Sequence, residues 1–528
     1  MESGQQPLLE SSSREASEGG PSCPQPEAEL LALEDLASPR ALALEARRLL
    51  ALSWPVIAEE LLTYGSTIVA LEFVGRLDAW LPPLAVYSLA RSVLNITGLS
   101  LLVGVTGGVD TCASQAHGAG ARALVGVSLQ RAVLVSLLAC LPVLALYLRA
   151  GLLLRWLGEE EQVAAAAGRY VLLASPFLFL HAVILCVYRY LIAQGEGGTV
   201  LSPLHSFGVS PPGKVLGTPT RVSSVARAGA VLEVMVSGAV FFAATAPINW
   251  LLVNRLQLGL DGSALAIVAC DAVYLAAVVS AAAVHNARLP PARRPWRGLS
   301  RRALRGWGSY LGLTLASLAM VASDWWVMDI STLLAVSRMC RSIAGCSRQL
   351  CGVSATPAAP LQGRLPDADT QLAAIGITYN LNAILFTVPF GLSFAAGAQV
   401  GQLLGAQRPA AARHAVVVGT ALGMAMMAAL AVALGAARRQ TIALLTPDAE
   451  MQEATRALMP PMLLALVGNG GNAVLAGVLR GCGRQRIGAA ANFVANWAVG
   501  LPLEIWLAFR LGLGAWGLWV GLCAAAYV

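Results

Sequence analysis

The sequence has little charge and almost no lysine. Charged residues make up 12% of its 528 residues, and Lys214 is the single lysine. A typical soluble domain carries about twice this share of charged residues, and a phosphate-binding loop needs a lysine beside its glycines. The sequence also lacks an HExxH motif and a GxSxG motif with triad partners. These absences argue against a soluble enzyme. A polytopic membrane enzyme is kept as an alternative.

Paired metal-ligand or disulfide patterns are also missing. Most of the ten cysteines lie singly in apolar segments, where a thiol packs as a small hydrophobic side chain. Cys340, Cys346 and Cys351 form a separate group, but their spacing is irregular and no histidine lies near them. We therefore expect no metal site, no disulfide framework and no cofactor.

Long apolar runs dominate the sequence. Hydrophobic residues make up 57% of it and the mean hydropathy is +0.66. The runs are unbroken and rich in Ala, Leu, Val and Gly, whereas a membrane barrel would show short segments of alternating polarity. The sequence therefore predicts an all-α polytopic membrane protein with twelve transmembrane helices, each near the ~20 residues needed to cross the hydrocarbon. The runs begin near Leu49, Leu84, Leu124, Tyr170, Leu232, Gly262, Trp307, Leu372, Ala412, Leu458, Ile487 and Leu511.

The arginines predict the orientation of these helices. Most lie in short connections of one parity, above all in the Arg-rich linker at 286–306, and positive residues in short loops stay in the cytoplasm. Both termini are then cytoplasmic. This scatter also explains the net charge of +7 without a nucleic-acid partner.

Three segments have the composition of disordered chain. Residues 1–47 are rich in Ser, Glu, Pro and Gly and contain no apolar signal peptide, so we expect a disordered cytoplasmic tail. Two polar stretches, at about 196–230 and 337–370, are much longer than usual helix connections. We interpret both as disordered insertions.

An internal repeat divides the apolar part of the chain. Gly104, Gln115 and Gly118 recur at one constant spacing as Gly391, Gln402 and Gly405. Six helices followed by six in the same order predict two pseudo-symmetric lobes, an N-lobe at 48–285 and a C-lobe at 307–528. Such lobes can enclose a cavity and rock about it, as alternating access requires.

Six short motifs within the apolar runs are distinctive when taken together. They are Leu52-Ser53-Trp54-Pro55, Asn95-Ile96-Thr97-Gly98, Asp110-Thr111 with Ser114-Gln115, Asp324-Trp325-Trp326 with Asp329, Val388-Pro389-Phe390-Gly391-Leu392-Ser393, and Gly477-Val478-Leu479-Arg480-Gly481-Cys482-Gly483. With these motifs the sequence resembles the multidrug and toxic compound extrusion (MATE) family, in its eukaryotic, plant- or algal-like branch. The likeness covers about residues 48–528 except the two insertions. It implies a twelve-helix antiporter that exports organic cations or metabolites in exchange for protons.

Asp324 and Asp329, in the seventh run, are the first candidates for substrate and proton coupling. A carboxylate at membrane depth is costly and usually marks an ion or substrate path, although both could instead be solvated at a helix end or paired with arginine. Trp325 and Trp326 can add cation–π attraction, while a lipid-facing role for at least one is an equal alternative. The two aspartates point about 140° apart on a helix, so we do not expect them to share one wall.

The resemblance adds further candidates. It implies that acids of the seventh helix carry much of the coupling, and Asp324 and Asp329 hold those places with a side chain one methylene shorter than the usual glutamate. Asn380 and Asn469 stand where relatives often have acids. In the N-lobe, Asn95, Asp110 and Gln115 are polar groups within apolar runs. We expect all three in the N-lobe cavity, and for Asn95 and Asp110 a gating or cavity role competes with simple hydrogen bonding between helices.

The sequence thus predicts a secondary antiporter for organic cations, xenobiotics or secondary metabolites. Export or vacuolar loading of organic anions, such as citrate or flavonoid conjugates, is the alternative, since the acids are fewer than the family pattern implies. H⁺ is the expected coupling ion, with Na⁺ possible. We expect a monomer in the plasma membrane or vacuolar membrane, whose partners are a small-molecule substrate and the lipid bilayer.

Overall fold

The computed structural model describes residues 38–77, 82–195, 222–350 and 368–528. Within them, the side chains of 222–228, 328, 329, 331–350, 368, 369 and 372 are outside the description. Helices are the only regular secondary structure in the described ranges. Met1–Leu44 and Glu45–Val528 are separate compact units, and everything below concerns the second, apart from the first turn of the first helix.

The first seven helices span residues 39–288, which we call the first half. They are α1 Pro39–Gly75, α2 Pro83–Gly118, α3 Arg122–Tyr147, α4 Glu161–Ala174, α5 Pro176–Ile192, α6 Val222–Asn249 and α7 Gly259–Arg288. Two short helical turns, Pro291–Arg293 and Arg301–Leu304, follow in the Arg-rich linker.

The other six helices span residues 307–527, which we call the second half. They are α8 Trp307–Leu350, α9 Ala368–Gly405, α10 Pro409–Ala436, α11 Ala449–Cys482, α12 Gln485–Asn492 and α13 Gly514–Tyr527. Helical turns extend α12 as far as Arg510. Short helices at Ala150–Trp156 and Arg438–Leu445 lie between the long ones at corresponding places of the two halves.

The predicted apolar runs coincide with these helices. In the described residues, eight helices are long and apolar enough to cross a membrane, and the bent pair α4 and α5 makes a ninth span if it is counted as one. The remaining runs correspond to α1, which carries acidic residues at its centre, to the interrupted helix α12, and to α13, which is short. The all-α polytopic membrane fold is confirmed.

Three helices extend into segments that we predicted to be disordered from their composition. A helix begins at Pro39, where the backbone N–H of Ala41 bonds to Ser38 Oγ at 3.2 Å, so the predicted tail ends before residue 47. Similarly, α6 begins at Val222 and α8 continues to Leu350. The reason is local. The ends of α6 and α8 in these segments contain no proline, although they adjoin Ser-, Gly- and Pro-rich stretches, and α1 begins at a proline, which the first helical turn tolerates. The rest of both predicted insertions, 196–221 and 351–367, lies outside the described residues.

Several helices are interrupted, and the interruptions have identifiable causes. Pro176 has no N–H to continue the helix, and the chain bends by 47° between α4 and α5 at this point. The wider π-type turns Leu94–Leu99 in α2 and Phe493–Gly500 after α12 carry Asn95 and Asn496. Such turns often occur at functional sites, and both asparagines line the cavity described below.

The two halves pack closely through the repeated glycines. A Cβ at Gly118 would overlap the carbonyl oxygen of Gln402, and a Cβ at Gly405 would overlap that of Gln115. Gly104 packs in the same way against Leu318 of α8. These glycines are close-packing positions, because only a residue without a side chain lets the helix backbones approach this far.

Candidate functional site

A cavity of about 500 Å³ lies between the two halves. On α2 its lining residues run from Tyr87 to Val103, and on α9 from Tyr379 to Phe394. The same two helices continue beyond these points into a region where the halves touch. The cavity is therefore bounded at one end by the contact between α2 and α9.

The first half contributes a pair of adjacent carboxylates from the middle of α1. Glu59 is almost fully buried and accepts hydrogen bonds from the Tyr274 hydroxyl and, at 2.9 Å, from Thr63 Oγ1. Glu60 accepts one from the Tyr188 hydroxyl at 3.1 Å. These partners come from α5 and α7 as well as α1, so the pair is held by three helices of one half. Both carboxylates line the cavity.

A third acid of the first half also lines the cavity. Asp271 of α7 is buried, and its Oδ2 lies 2.9 Å from Nδ1 of His181 on α5. Both residues line the cavity together with Glu59 and Glu60. The wall of the first half thus combines three carboxyl groups with one imidazole.

The wall of the second half carries one described acid among several amides. Asp324 lies exposed in the cavity and accepts a hydrogen bond from Asn496 Nδ2 at 2.7 Å. The neighbouring Trp497 donates to the Ser323 carbonyl at 3.2 Å, which fixes the turn against α8. The other amide side chains of this wall are Asn382, Asn469, Asn472 and Asn492.

Aromatic rings also line the cavity. Phe386 and Phe390 stack with centroids 6.0 Å apart, and Phe390 meets Phe394 edge to face at 4.8 Å. Trp325 also lines the cavity, beside Asp324. Aromatic faces attract organic cations, so these rings and the carboxylates suit the same kind of ligand.

The halves meet at one end of the cavity, which we call the closed end: residues 107–118 of α2, 397–405 of α9 and 477–485 around the end of α11. Gln115 Nε2 donates to the Gly481 carbonyl at 2.9 Å. Gln402 Nε2 donates to the Ala193 and Gly195 carbonyls, both at 2.9 Å. Each bond crosses from one half to the other, so hydrogen bonds from side chains to backbone carbonyls hold this end closed.

A buried ion cluster lies where the closed end meets the cavity. Asp110 Oδ2 accepts from Arg189 Nη1 at 2.5 Å and lies 3.2 Å from Arg480 Nε. The two guanidinium carbons lie 5.0 Å and 5.6 Å from the centre of the Phe394 ring. Arg189 also donates to the Val103 carbonyl at 2.9 Å. The cluster joins α2 and α5 of the first half to α9 and α11 of the second.

The structure brings four of the sequence-predicted site residues together in the cavity: Asn95, Asp324, Trp325 and Asn469. Trp326 instead donates from Nε1 to the Ile96 carbonyl at 3.1 Å and fastens α8 to α2. Asn380 is exposed, and its Oδ1 accepts a long hydrogen bond of 3.5 Å from the Tyr64 hydroxyl. The last two are therefore placed between helices, not among the residues that line the cavity.

Two further candidates lie elsewhere, and the side chain of a third is not described. Asp110 and Gln115, expected in the N-lobe cavity or in a gate, take part in the contacts of the closed end. The side chain of Asp329 lies outside the described residues, so its role stays a prediction.

Sequence reasoning did not select the acid pair of the first half. Glu59 and Glu60 carry the same signal as Asp324, a carboxylate within a long apolar run, and Pro55 just before them marks an irregular helix. Their tyrosine partners are distant in sequence and gave no local pattern. Applying the criterion for Asp324 to every run would have found the pair.

The geometry defines a class of protein. An all-α membrane protein with a cavity between two similar halves, one sealed end, and acids and aromatic rings along the walls has the architecture of a secondary transporter for small molecules.

Sequence comparison identifies the transporter family. The MatE family model matches residues 55–202 and 361–506, once in each half. The chain belongs to this family of multidrug and toxin extrusion transporters.

Individual relatives agree with this assignment. The chain is 30% identical to Protein DETOXIFICATION 49 of Arabidopsis thaliana, over 91% of this chain and 83% of that protein. It is 28% identical to Multidrug and toxin extrusion protein 2 of Homo sapiens, over 93% of this chain and 76% of that protein. The eukaryotic, plant-like character that the motifs indicated is confirmed.

Solved structures show the same fold. The crystal structure of the eukaryotic MATE transporter AtDTX14 matches with a TM-score of 0.74 and 22% identity, covering 92% of this chain and 93% of that one. A MATE transporter from Vibrio cholerae matches with a TM-score of 0.70 and 17% identity, covering 92% and 94%. This protein is accordingly a multi-pass membrane protein and an efflux transporter, and the membrane-enzyme alternative is wrong.

Proposed function

We propose that this protein exports organic cations in exchange for protons. The observation that carries the proposal is that Glu59, Glu60 and Asp324 line one cavity together with aromatic rings. A carboxylate neutralised by a proton no longer attracts a cation, so the two ligands exclude each other at such a site. This exclusion supports exchange if the protein changes conformation most readily with one of them bound.

The two walls suit different parts of this exchange. The first-half acids are enclosed by tyrosine hydroxyls, which fit the binding of a small ion such as H⁺. Asp324 is exposed in the cavity beside Trp325, which fits a larger organic cation. Cation–π contact with such a ring contributes about 0.5 to 2 kcal/mol. Asn469, on the same wall as Asp324, is in a position to contact the rest of the substrate.

The orientation follows from the arginines. The loops that adjoin the closed end carry Arg122, Arg408 and Arg484, and short loops with positive charge stay in the cytoplasm. The closed end is then cytoplasmic, both chain termini are cytoplasmic, and the cavity faces the cell exterior or the vacuole lumen. In that orientation a proton enters from the acidic side and a cation leaves to the same side.

The test is transport in proteoliposomes. Ethidium, a fluorescent organic cation, is loaded and its movement is followed under an imposed pH gradient for the wild type, Glu60→Gln and Asp324→Asn. We expect gradient-driven transport that Glu60→Gln abolishes and Asp324→Asn reduces at least tenfold. Glu72→Gln is the control, because Glu72 is exposed and pairs with Arg76 at 2.6 Å. Full gradient-driven transport by both cavity variants would refute the proposed coupling.

Organic anions are the second candidate, favoured by Arg91 and Arg189 in the cavity lining. The same liposomes distinguish the two candidates. Citrate that competes with ethidium, or that is transported in its place, would indicate an anion transporter. Replacing the pH gradient with a Na⁺ gradient tests the alternative coupling ion. The proposal further includes a monomer that acts without a nucleic-acid partner.

A further inference from the structure

We propose that Asp110 and Arg480 form a latch that holds the closed end shut and must break each time this end opens. The inference goes beyond the coupling ion and the substrate, because it concerns the contact between the halves. It requires only that the closed end can open during transport.

The first step is the geometry of the cluster. Asp110 is on α2 and Arg189 on α5, so their 2.5 Å contact lies within the first half. Arg480 is on α11, so its 3.2 Å contact with the same carboxylate oxygen joins the two halves. A rocking movement of one half against the other breaks the second contact and leaves the first intact. Asp110 then keeps a partner in both states.

The second step is burial. The Arg189 and Arg480 side chains are 1% and 5% exposed, and the Asp110 side chain is 12% exposed. Ion pairs in such surroundings are weakly screened, and removing one partner is strongly destabilising because it leaves a buried charge uncompensated. The latch is therefore energetically significant, unlike an exposed ion pair.

The third step is the charge balance. Two guanidinium groups share one carboxylate and both approach the Phe394 ring. Attraction to Asp110 holds Arg480, while repulsion from Arg189 opposes it. The closed state is thus held by an attraction that the repulsion between the arginines partly offsets, as a contact that opens repeatedly requires. Loss of Asp110 leaves the repulsion between the two arginines without the carboxylate that offsets it.

Further hydrogen bonds surround the latch. Thr111 Oγ1, next to Asp110, donates to the Arg480 carbonyl, and Gln485 Nε2 donates to Thr111 Oγ1 at 2.7 Å. Arg480 also donates from Nη2 to Ser393 Oγ at 3.3 Å, which lies within the second half. Arg480 therefore keeps a polar contact in its own half after it separates from Asp110.

The experiment is hydrogen–deuterium exchange of the full chain in nanodiscs without any ligand or pH gradient. Peptides covering 107–119 and 397–407 report on the closed end. We expect about tenfold faster exchange there in Asp110→Asn and in Arg480→Gln, equivalent to about 1.4 kcal/mol in the closing equilibrium. Glu72→Gln removes an exposed ion pair and leaves exchange unchanged.

Two further variants test the mechanism. Asp110→Glu keeps a carboxylate and restores slow exchange at least in part. In Asp110→Asn combined with Arg480→Gln the repulsion is also removed, so exchange is slower than the two single effects multiplied. If Asp110→Asn does not fold, Arg480→Gln alone carries the test, because the Arg189–Asp110 pair survives in it.

The outcomes are decisive in both directions. Faster exchange confined to the closed end in the folded variants supports the latch. Wild-type exchange in both single variants overturns it, and so does faster exchange throughout α3 and α7, which would mean a general structural role. A failure of the ethidium assay affects only the proposed coupling, because the exchange experiment contains neither substrate nor gradient.

Discussion

Gln115 and Gln402 occupy equivalent positions of the repeat and make the same contact in opposite directions. Gln115 donates to the Gly481 carbonyl and Gln402 to the Gly195 carbonyl, both at 2.9 Å. Each amide reaches the end of a helix in the other half. The repeat in the sequence therefore corresponds to equivalent hydrogen bonds between the two halves at the closed end.

Replacement of either glutamine with leucine should favour opening of the closed end. Gln115→Leu removes one hydrogen bond between the halves and Gln402→Leu removes two, and each carbonyl left unpaired costs about 1 kcal/mol. Spin labels on a ketone-bearing amino acid at the exposed positions Ala119 and Ala406 avoid the native cysteines. Pulsed EPR should show a larger fraction of long distances in each variant and the largest in the double variant.

Gln130→Leu is the matched control for this prediction. Gln130 is also buried and also donates to a carbonyl at 2.9 Å, but its acceptor, Gly298, belongs to the linker and not to the other half. The label distances should stay as in the wild type. Equal widening in all three variants would mean that the amides stabilise the protein generally and do not seal this end.

Gly405→Ala should slow transport by preventing full closure. The new Cβ would overlap the Gln115 carbonyl oxygen, and such overpacking against backbone costs about 1 to 3 kcal/mol. Because a transport cycle needs both the open and the closed form, we expect a roughly tenfold or greater loss of rate in proteoliposomes. Gly376→Ala, also on α9, meets nothing within 4 Å and should retain the wild-type rate.

Tyr274→Phe should destabilise the protein and weaken transport. The Tyr274 hydroxyl donates to Glu59, and the carboxylate is almost fully buried. Losing a donor to a buried carboxylate costs about 1 to 3 kcal/mol, so the melting temperature in detergent should fall. Glu59→Gln combined with Tyr274→Phe should lose less than the two single effects added together, since an amide needs that donor less. Strict additivity would mean that the contact contributes nothing.

The sequence predicted the helices better than their ends. A run of apolar residues is a local signal, and the run from Leu124 became the helix Arg122–Tyr147. The start of α6 at Val222 was missed because composition was averaged over a polar stretch, although the prolines of that stretch end at Pro219. Helix formation depends on the residues of each turn, not on the average of the segment.

The candidate site was predicted only in part, for a similar reason. An acid in an apolar run is visible in a sequence, and Asp324 was recognised by that signal. The partners that give an acid its role, such as Tyr188 for Glu60 or Arg480 for Asp110, come from other helices. Tertiary packing brings them together, and no periodicity within one helix encodes it.

Trp325 and Trp326 are adjacent, yet their contacts differ, and the last prediction uses this difference. Trp325 lines the cavity beside Asp324, whereas Trp326 Nε1 donates to the Ile96 carbonyl at 3.1 Å and to Ser100 Oγ at 3.2 Å. Trp325→Ala should raise KM for ethidium by about 2- to 30-fold, the equivalent of about 0.5 to 2 kcal/mol of cation–π contact, with a smaller effect on kcat.

Trp326→Ala should lower the melting temperature and leave KM unchanged, because its indole joins α8 to α2 and does not line the cavity. Trp326→Phe separates the two contributions of that indole, since it keeps an aromatic ring and removes the N–H donor. The measurements are the concentration dependence of ethidium transport and thermal unfolding of each purified variant. A KM that rises in Trp326→Ala as much as in Trp325→Ala would show that the substrate reaches both faces of α8, and the assignment of ligand contact to the cavity-facing indole alone would then be wrong.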